Sequence, residues 1–407
     1  MTPTNADLPR GQARALALLS LTLVLSMSTW FSASAVIPQL RTAWHLTPGV
    51  AAWLTIAVQL GFVAGALVSS LLNLSDVVAP RHVVFGGSIG AAVANGLLHA
   101  AGGGAVGLLL RLLTGVFLAG IYPPALKLMA TWFRTGRGNA LGILVGALVV
   151  GTAIPHLLNG LGGLDWRIVI TGTSVLTLAG GVIAEFAVRE GPYSFPRAAF
   201  DPAQAGRVFA NRGVRLASLG YFGHMWELYA MYAWFLAFFS AHRLARGFSG
   251  GPAPAYATFA VIAIGGIGCW IGGLAGDRWG RTRTTALMMA ISAACALVIG
   301  FLFDAPSWMV LAVGLIWGFA IVADSAQVST MVTELADQAY VGTAVTLQLA
   351  VGFTLTVATI WLIPTLVAAV GWRLAFAFLA PGPVLGVLAM LRLRVSPEAV
   401  KIAGGAR

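Results

Sequence analysis

The stretch "GGLAGDRWGRTR" (residues 272–283) separates two long apolar segments of the chain. Glycines permit a tight turn and a close approach of two helices. A carboxylate stabilises the amino end of a helix, and arginines favour the cytoplasmic side of a membrane. The stretch therefore predicts a short cytoplasmic turn between two membrane helices, with an aspartate placed to cap a neighbouring helix. The residues that carry this prediction are Gly273, Asp277, Arg278, Gly280 and Arg281.

The composition of the whole chain supports a membrane protein. Of its 407 residues, 58% are hydrophobic and 9% are charged, and the mean hydropathy is +0.88. A soluble domain carries about 25% charged residues. The net charge of +11 comes from basic residues that are concentrated on one side of the predicted membrane helices, as described below, so it does not indicate a nucleic-acid partner. Cys269 and Cys295 both lie in apolar segments, so they predict neither a disulfide nor a metal site.

Twelve apolar segments are long enough to cross a hydrocarbon core of roughly 30 Å. Each is expected to be helical, because a segment in lipid must satisfy its own backbone hydrogen bonds. The first is expected to remain in the mature protein, since it is longer than the core of a signal peptide. In chain order, the predicted helices 1 to 12 are 15–38, 50–73, 82–101, 106–131, 139–161, 167–188, 214–239, 255–276, 284–303, 307–333, 342–369 and 373–392.

The longest polar interval divides these helices into two groups of six. We predict an N-terminal bundle over 1–188, a cytoplasmic central loop over 189–213 and a C-terminal bundle over 214–407. Short motifs recur between the halves: "LDWRIVI" opens predicted helix 6, and "VGWRLAF" opens predicted helix 12. Similarly, "GNALG" and "GTAVT" open predicted helices 5 and 11. Such echoes favour a parallel repeat of two six-helix units.

Lysine and arginine are distributed unevenly between the two sides of the predicted bundle. With the amino terminus inside, 17 of the 24 fall on the inner side and 5 on the outer side. Arg111 and Lys127 remain within predicted helix 4. The bias predicts that both termini are cytoplasmic. We therefore expect a multi-pass protein of the bacterial inner (cytoplasmic) membrane.

The stretch at 272–283 resembles the loop motif of the major facilitator superfamily of secondary transporters. "RLLTG" (111–115) and "WFRTGRGNALG" (132–142) are similar to other motifs of that family. The resemblance implies an all-α fold of twelve transmembrane helices in two pseudo-symmetric six-helix bundles. The matching loop between predicted helices 2 and 3 keeps Asp76 and Arg81 but lacks the Asp-Arg-x-Gly-Arg core. We assign both loops to a conformational role.

Predicted helix 7 contains "LGYFGHMWELYAMYAWFLAFF" (219–239), with His224 and Glu227 near its middle. An ionised carboxylate at this depth costs several kcal/mol unless it is paired, hydrated or protonated. Residues three apart lie on one face of a helix. We therefore predict that Glu227 couples transport to protons and that His224 adjusts it, with Tyr221 nearby as a substrate contact. The alternative is a static hydrogen bond between helices.

Predicted helix 10 repeats this pattern. Asp324 and Gln327 share one face with Trp317, Met331 and Glu334. The resemblance implies that helices 7 and 10 face a shared cavity, where Asp324 would be a second proton or cation site and Gln327 a substrate contact. Glu334 is expected to be a solvated helix end. The alternative for Asp324 is a structural pair with a helix end or an arginine.

Five further substrate contacts are predicted from polar or aromatic residues in apolar segments: Arg111, Tyr122, Trp30, Gln59 and Lys127. Arg111 either holds an anionic group of the substrate or neutralises Asp324 or Glu227. Lys127 either contacts substrate or extends to the inner interface. The pair Pro123–Pro124 predicts a kink in helix 4.

The sequence thus predicts a secondary transporter that moves a small organic solute by alternating access and is coupled to protons. No nucleotide-binding loop is present, and neither a cofactor nor a metal is expected. The partners are a small-molecule substrate, protons and the lipid bilayer, without nucleic acid, and the chain is expected to be a monomer. Uptake and drug or metabolite efflux remain open. A non-transporting sensor and a membrane-embedded enzyme are less favoured, because the tails are short and no nucleophile–base spacing is evident.

Overall fold

The computed structural model describes residues 8–133, 137–163, 165–193, 201–337 and 340–405. Within these ranges the regular structure is helical, without strands. The main helices are α1 (Leu8–Ser26), α2 (Pro48–Leu71), α3 (Pro80–Gly96), α4a (Gly104–Leu118), α4b (Tyr122–Trp132), α5 (Arg137–Leu161), α6 (Trp166–Phe186), α7 (Arg212–Ala245), α8 (Ala253–Trp279), α9 (Arg281–Val298), α10a (Ser307–Ala323), α10b (Ser325–Leu335), α11 (Val341–Val370) and α12 (Pro381–Arg394).

Short helical segments connect or extend these helices. Those with α-helical hydrogen bonding are Ile37–Ala43, Leu74–Val77, Ala205–Ala210 and Trp372–Ala375. Those with 3₁₀ hydrogen bonding are Met27–Thr29, Ser34–Val36, Leu97–Ala100, Pro202–Gln204, Ile299–Leu302, Phe376–Leu379 and Pro397–Gly405.

Eleven helical stretches of the described chain are long and apolar enough to cross a membrane. The twelfth predicted span corresponds to α7, whose 34 residues exceed the roughly 20 that a span requires. Its tyrosine, tryptophan, histidine and glutamate residues lower its hydropathy below that of the other spans. The helix that carries the candidate proton sites is therefore also the least apolar one.

Three of the predicted helices are interrupted in the middle. The first passes through two 3₁₀ turns between Met27 and Val36, the fourth breaks between Leu118 and Tyr122, and the tenth breaks at Asp324. Pro123 and Pro124 lie in the first turn of α4b, where their missing amide hydrogens cost no helical hydrogen bond. The prolines therefore start a new helix after a break, which is more than the predicted kink.

The two halves of the chain repeat the same packing register. A Cβ added to Gly115 of α4a would lie 2.1 Å from the carbonyl oxygen of Val58 in α2. A Cβ added to Gly318 of α10a would lie 1.7 Å from the carbonyl oxygen of Val261 in α8. Both residues of the second pair lie 203 positions after those of the first. The same shift relates two further glycine contacts, Gly65 on Val116 and Gly268 on Phe319.

Two seams join the halves. α5 packs along α8, where an added Cβ at Gly146 would lie 2.6 Å from the carbonyl oxygen of Gly266. α2 packs along α11, where the hydroxyls of Ser70 and Thr346 are 3.3 Å apart. The predicted boundary at 189–213 falls between α6 and α7 and stays a prediction, since residues 194–200 lie outside the described residues.

Gly318→Ala is expected to lower the unfolding temperature in detergent by several degrees. The new methyl group would overlap a backbone carbonyl, and overpacking of this kind costs about 1–3 kcal/mol. Gly86→Ala is the control, because an added Cβ at Gly86 meets no atom within 4 Å. Equal unfolding temperatures for the two variants would contradict the close packing of α8 and α10a.

Candidate functional site

Glu227 of α7 is buried and is held by two neighbouring helices. The hydroxyl of Ser292 in α9 lies 2.8 Å from each carboxylate oxygen. The indole Nε1 of Trp317 in α10a donates to Oε1 at 2.6 Å. Only 1% of Glu227 is exposed, so these donors replace water around the carboxylate. Both partners are neutral, so neither of them supplies a positive charge that would hold Glu227 in its ionised form.

His224 contacts Asp324 of the α10 break, and both side chains are buried. Its Nδ1 lies 2.8 Å from Oδ1 of Asp324, without the alignment of a linear hydrogen bond. The carboxylate stands at the amino end of α10b, where the helix dipole favours negative charge. His224 therefore pairs with Asp324, whereas the sequence predicts that it adjusts Glu227. The spacing on α7 fixes a common face, but the partners come from other helices.

Arg111 of α4a is fully buried and donates only to neutral acceptors. Two of these are the carbonyls of Thr29 and Trp30 in the interruption of the first span. The Thr29 carbonyl also accepts the amide of Ser32 at 3.4 Å. Neither Asp324 nor Glu227 is among the described contacts of Arg111, so the structure does not support the second of the two predicted alternatives, in which Arg111 neutralises one of these acids. The remaining acceptors are Ser32 Oγ at 3.0 Å, Asn95 Oδ1 at 3.1 Å and the carbonyl of Leu54 at 3.4 Å.

Six aromatic rings meet where the halves face each other. We call them the aromatic cluster: Trp30, Phe31, Phe62, Tyr229, Tyr232 and Phe353. They come from the interruption of the first span, from α2, α7 and α11. Ring centroids are 4.7 Å apart for Phe62 and Phe353, 4.9 Å for Trp30 and Phe62, and 5.7 Å for Trp30 and Tyr229. The cluster fills the space between the two halves.

A cavity of about 120 Å³ lies beside the aromatic cluster. It is formed by α2, α11 and the break in α4, and its lining includes Phe62, Phe353, Ser70, Thr346, Ala119 and Pro123. The two hydroxyl groups belong to the α2–α11 seam, so the cavity lies between the halves of the chain.

Three other predicted substrate contacts lie on α7 and α4b. Tyr221 packs against Gly352 of α11, and its ring centroid is 6.1 Å from that of His224. Tyr122 is half-buried at the start of α4b. Lys127 is half-buried on α4b, close to its end.

Two predicted amides have different surroundings. Gln327 accepts from Arg281 Nη1 at 2.9 Å and donates to the carbonyl of Gly272 at 3.2 Å. It therefore belongs to the contacts around the 272–283 turn. Gln59 is fully buried on α2, and neither of its amide atoms bonds to a residue that the structure describes.

The 272–283 turn contacts both halves. An added Cβ at Gly138, the second residue of α5, would lie 2.6 Å from both carboxylate oxygens of Asp277. Arg281 lies 3.3 Å from Asp277 and 3.2 Å from Glu334. Glu334 also accepts the amide of Ala403 at 3.2 Å, so it is part of this network and is not the solvated end that the sequence predicts.

The remaining loop residues have simpler environments. Gly280 has φ +94°, a conformation that favours glycine, and Arg278 is exposed. Gly273 lies against the carbonyl of Gly138. Arg81 is half-buried, and its Nε has no hydrogen-bond partner in the described chain. The side chain of Asp76 lies outside the described residues.

Sequence reasoning missed several residues of the site. Ser292 carries no sequence signal, since isolated serines are common in membrane helices. Phe62, Tyr229, Tyr232 and Phe353 join the aromatic cluster, and only the polar stripe of α7 could have indicated two of them. His156 and Gln348 are buried without a described hydrogen-bond partner. Within the described ranges, no group of three or more His, Cys, Asp or Glu could hold a metal ion.

Comparisons with known proteins agree with this architecture. The family model described as Major Facilitator Superfamily matches residues 19–358. The fold is similar to a crystal structure of a bacterial homolog to the human lysosomal transporter Spinster, in an inward-facing and unoccupied conformation. The TM-score is 0.64 at 15% identity, with 96% of each chain covered. The sequence matches no curated protein.

Arg111→Met is expected to destabilise the protein more than Arg246→Met does. The first change leaves several buried acceptors unpaired, at about 1–3 kcal/mol for each. Arg246 is exposed and donates to the carbonyl of Asp304. The measurement is thermal unfolding in detergent. If Arg111→Met unfolds at the wild-type temperature, the carbonyls of the first span do not depend on this side chain.

Proposed function

The chain belongs to the major facilitator superfamily of transporters, and we propose that it moves a small organic solute by alternating access coupled to protons. The observation that carries the proposal is the pair of buried carboxylates, Glu227 and Asp324, on helices from the centre of the C-terminal half. Each has its own partners, and neither is neutralised by an arginine or lysine in the described structure.

The packing supports alternating access. The halves meet along the α5–α8 and α2–α11 seams. Three spans, the first, fourth and tenth, are interrupted near their middles, where a site between repeats would lie. The interruptions expose backbone groups, which a membrane tolerates only where protein or a water-filled cavity satisfies them. Rocking of one half against the other would separate Phe62 from Phe353 and open the aromatic cluster.

Glu227 is suited to gain and lose a proton in place. An ionised carboxylate in the membrane costs several kcal/mol, so the neutral acid is accessible. The hydroxyl of Ser292 can donate to the carboxylate or accept from the acid, and the indole of Trp317 donates in both cases. The two protonation states can therefore share the same partners. This supports Glu227 as the principal coupling site.

The pair of His224 and Asp324 is proposed as the second site. With one proton between them the pair has no net charge, whether the proton is on the imidazole or on the carboxylate, and release of that proton leaves one negative charge on the pair. Glu227 and Asp324 also interact electrostatically, and a charge on one opposes a charge on the other. A proton that enters through 100 mV supplies about 2.3 kcal/mol, enough for a nearly fifty-fold ratio of solute.

We place the protein in the inner membrane with both termini in the cytoplasm, on the bias of 17 to 5 basic residues. The contact of Asp277 with the start of α5 then lies at the cytoplasmic ends of the helices. The contact between Asp277 and α5 would hold the two halves together while the transport path is closed on the cytoplasmic side. Symport and antiport can both use such a device.

Glu227→Gln is expected to abolish proton coupling while solute exchange continues. Purified protein in liposomes loaded with a pH-sensitive dye is exposed to pools of small organic solutes, and lumenal pH and solute uptake are both recorded. A pool that acidifies wild-type liposomes should enter Glu227→Gln liposomes without acidification. Glu190→Gln, a change at an exposed carboxylate, is the control.

Two results would count against this assignment. If no transported solute moves protons in the wild type, proton coupling is wrong. If Glu227→Gln moves protons at the wild-type ratio, Glu227 is structural, and Asp324→Asn becomes the variant that should lose coupling.

Gly138→Ala is expected to slow solute flux several-fold, because the new methyl group would occupy the space of the Asp277 carboxylate. Gly206→Ala is the matched control, since an added Cβ there meets nothing within 4 Å. Initial rates in the same liposomes, normalised to inserted protein, give the comparison. Equal rates for the two variants would remove the proposed role of this contact.

A further inference from the structure

Four side chains in or near the aromatic cluster carry buried polar atoms without a hydrogen-bond partner in the described chain. They are Trp30 (Nε1), Gln59 (both amide atoms), His156 (both ring nitrogens) and Tyr232 (hydroxyl). None is more than 2% exposed. A buried polar group left unpaired costs about 1–3 kcal/mol, and native proteins contain few of them. Their concentration at one place therefore needs an explanation.

Gln59 is placed on the cluster by its neighbours on α2. Thr55 lies one turn before it and shares a 2.6 Å hydrogen bond with Ser34 of the interrupted first span. Phe62 lies almost one turn after it and belongs to the aromatic cluster. The three residues lie on one face of the helix. The amide of Gln59 is therefore between the first span and α11, next to the rings.

His156 of α5 lies near the level of the cluster. On the same helix, Gly151 packs against Met27, and Asn159 donates to the carbonyl of Ala35 at 2.8 Å. His156 lies between these contacts, at the level of Phe31. The faces of α5 that meet the first span and α8 lie on either side of it. Its imidazole therefore faces the centre of the molecule.

The fixed charges near the centre are already engaged. Arg111 donates to neutral acceptors, Glu227 accepts from Ser292 and Trp317, and Asp324 contacts His224. The polar atoms that remain available to a solute are neutral donors and acceptors. They stand among six rings that offer flat apolar faces.

We propose that the aromatic cluster and these four polar side chains form the solute site, and that it takes an uncharged, planar aromatic or heteroaromatic molecule with amide-like donors and acceptors. This rests on the proposed function. Rings would stack on the flat faces, and the amide, imidazole, indole and phenol groups would satisfy the polar atoms. The collapsed rings must separate to admit the solute.

A charged solute is disfavoured by the same surroundings. An ion would leave water without a counter-charge, at a cost well above the gain of a cation over a ring, which is about 0.5–2 kcal/mol. The guanidinium of Arg111 adds positive potential, because it donates to the carbonyl of Trp30 within the cluster. An anion would find that guanidinium already saturated with acceptors. Neutral solutes are therefore selected by electrostatics as well as by shape.

The test uses four small probes on purified wild-type protein in detergent. Benzamide, benzoate and benzamidinium are planar and nearly equal in size but carry different charges at pH 7. Cyclohexanecarboxamide has the same amide on a ring that is not flat. Dissociation constants come from calorimetry, without liposomes or a proton gradient. Benzamide is expected to bind at least ten-fold more tightly than each of the other three.

Variants locate the bound probe. Gln59→Leu and Tyr232→Phe are each expected to weaken benzamide binding roughly three- to ten-fold, the effect of one lost hydrogen bond. Gln12→Leu is the control, because the Gln12 amide donates to the carbonyl of Trp132 at the far end of the first span. Tyr232→Phe removes a single oxygen atom, so it tests the site even if Gln59→Leu does not fold.

The inference is overturned if benzamide does not bind, if benzoate or benzamidinium binds as tightly, or if Gln59→Leu and Tyr232→Phe both bind benzamide as the wild type does. These results are separate from those for transport. Selective benzamide binding without proton movement would preserve the site and remove the proton coupling. Proton-coupled movement of a charged solute would preserve the proposed function and remove this inference.

Discussion

The hydrogen bonds from Arg111 to the carbonyls of Thr29 and Trp30 hold together the centre of the N-terminal half. A span that stops being helical inside a membrane leaves backbone groups that water cannot reach. Arg111 donates to two carbonyls of this interruption, and Asn95 and Ser32 help to fix its guanidinium. With the interruption held in this way, Trp30 and Phe31 are directed at the rings of α7 and α11. The aromatic contacts between the halves therefore depend on a polar side chain that touches none of the rings.

The C-terminal half also contains an interrupted span, and its buried polar side chains include acids. The break at Asp324 starts a new helix within the membrane, and the carboxylate stands where the dipole of α10b favours it. One turn of α7 then has three partners, since His224 contacts Asp324 and Glu227 lies against Ser292 and Trp317. The buried Arg111 lies in the other half, and the buried Arg281 of this half contacts Asp277 and Glu334. This separation leaves Glu227 and Asp324 with neutral or titratable neighbours, which is what reversible protonation requires.

The sequence predicted the helices well because hydropathy depends on residues near each other in the chain. Eleven of the predicted spans meet the length and composition of a membrane helix, and the twelfth corresponds to α7, whose polar residues make it less apolar. For the tenth helix, the predicted common face holds for Gln327 and Glu334, which both contact Arg281 at the start of α9. Asp324 lies at the break in this helix and contacts His224 of α7 instead. Spacing within one helix cannot reveal such partners.

By itself the sequence determined that the chain crosses the membrane, that its halves repeat, and that acids and an arginine lie at depths where they must be paired. Those properties depend on composition and on distances along one helix. Only the tertiary structure decided that His224 contacts Asp324, that Arg111 binds backbone carbonyls, and that rings from both halves meet in the aromatic cluster. Such pairings depend on how rotated helices from distant parts of the chain meet. A rotation of one helix by a single residue, about 100°, would replace every partner without changing its hydropathy.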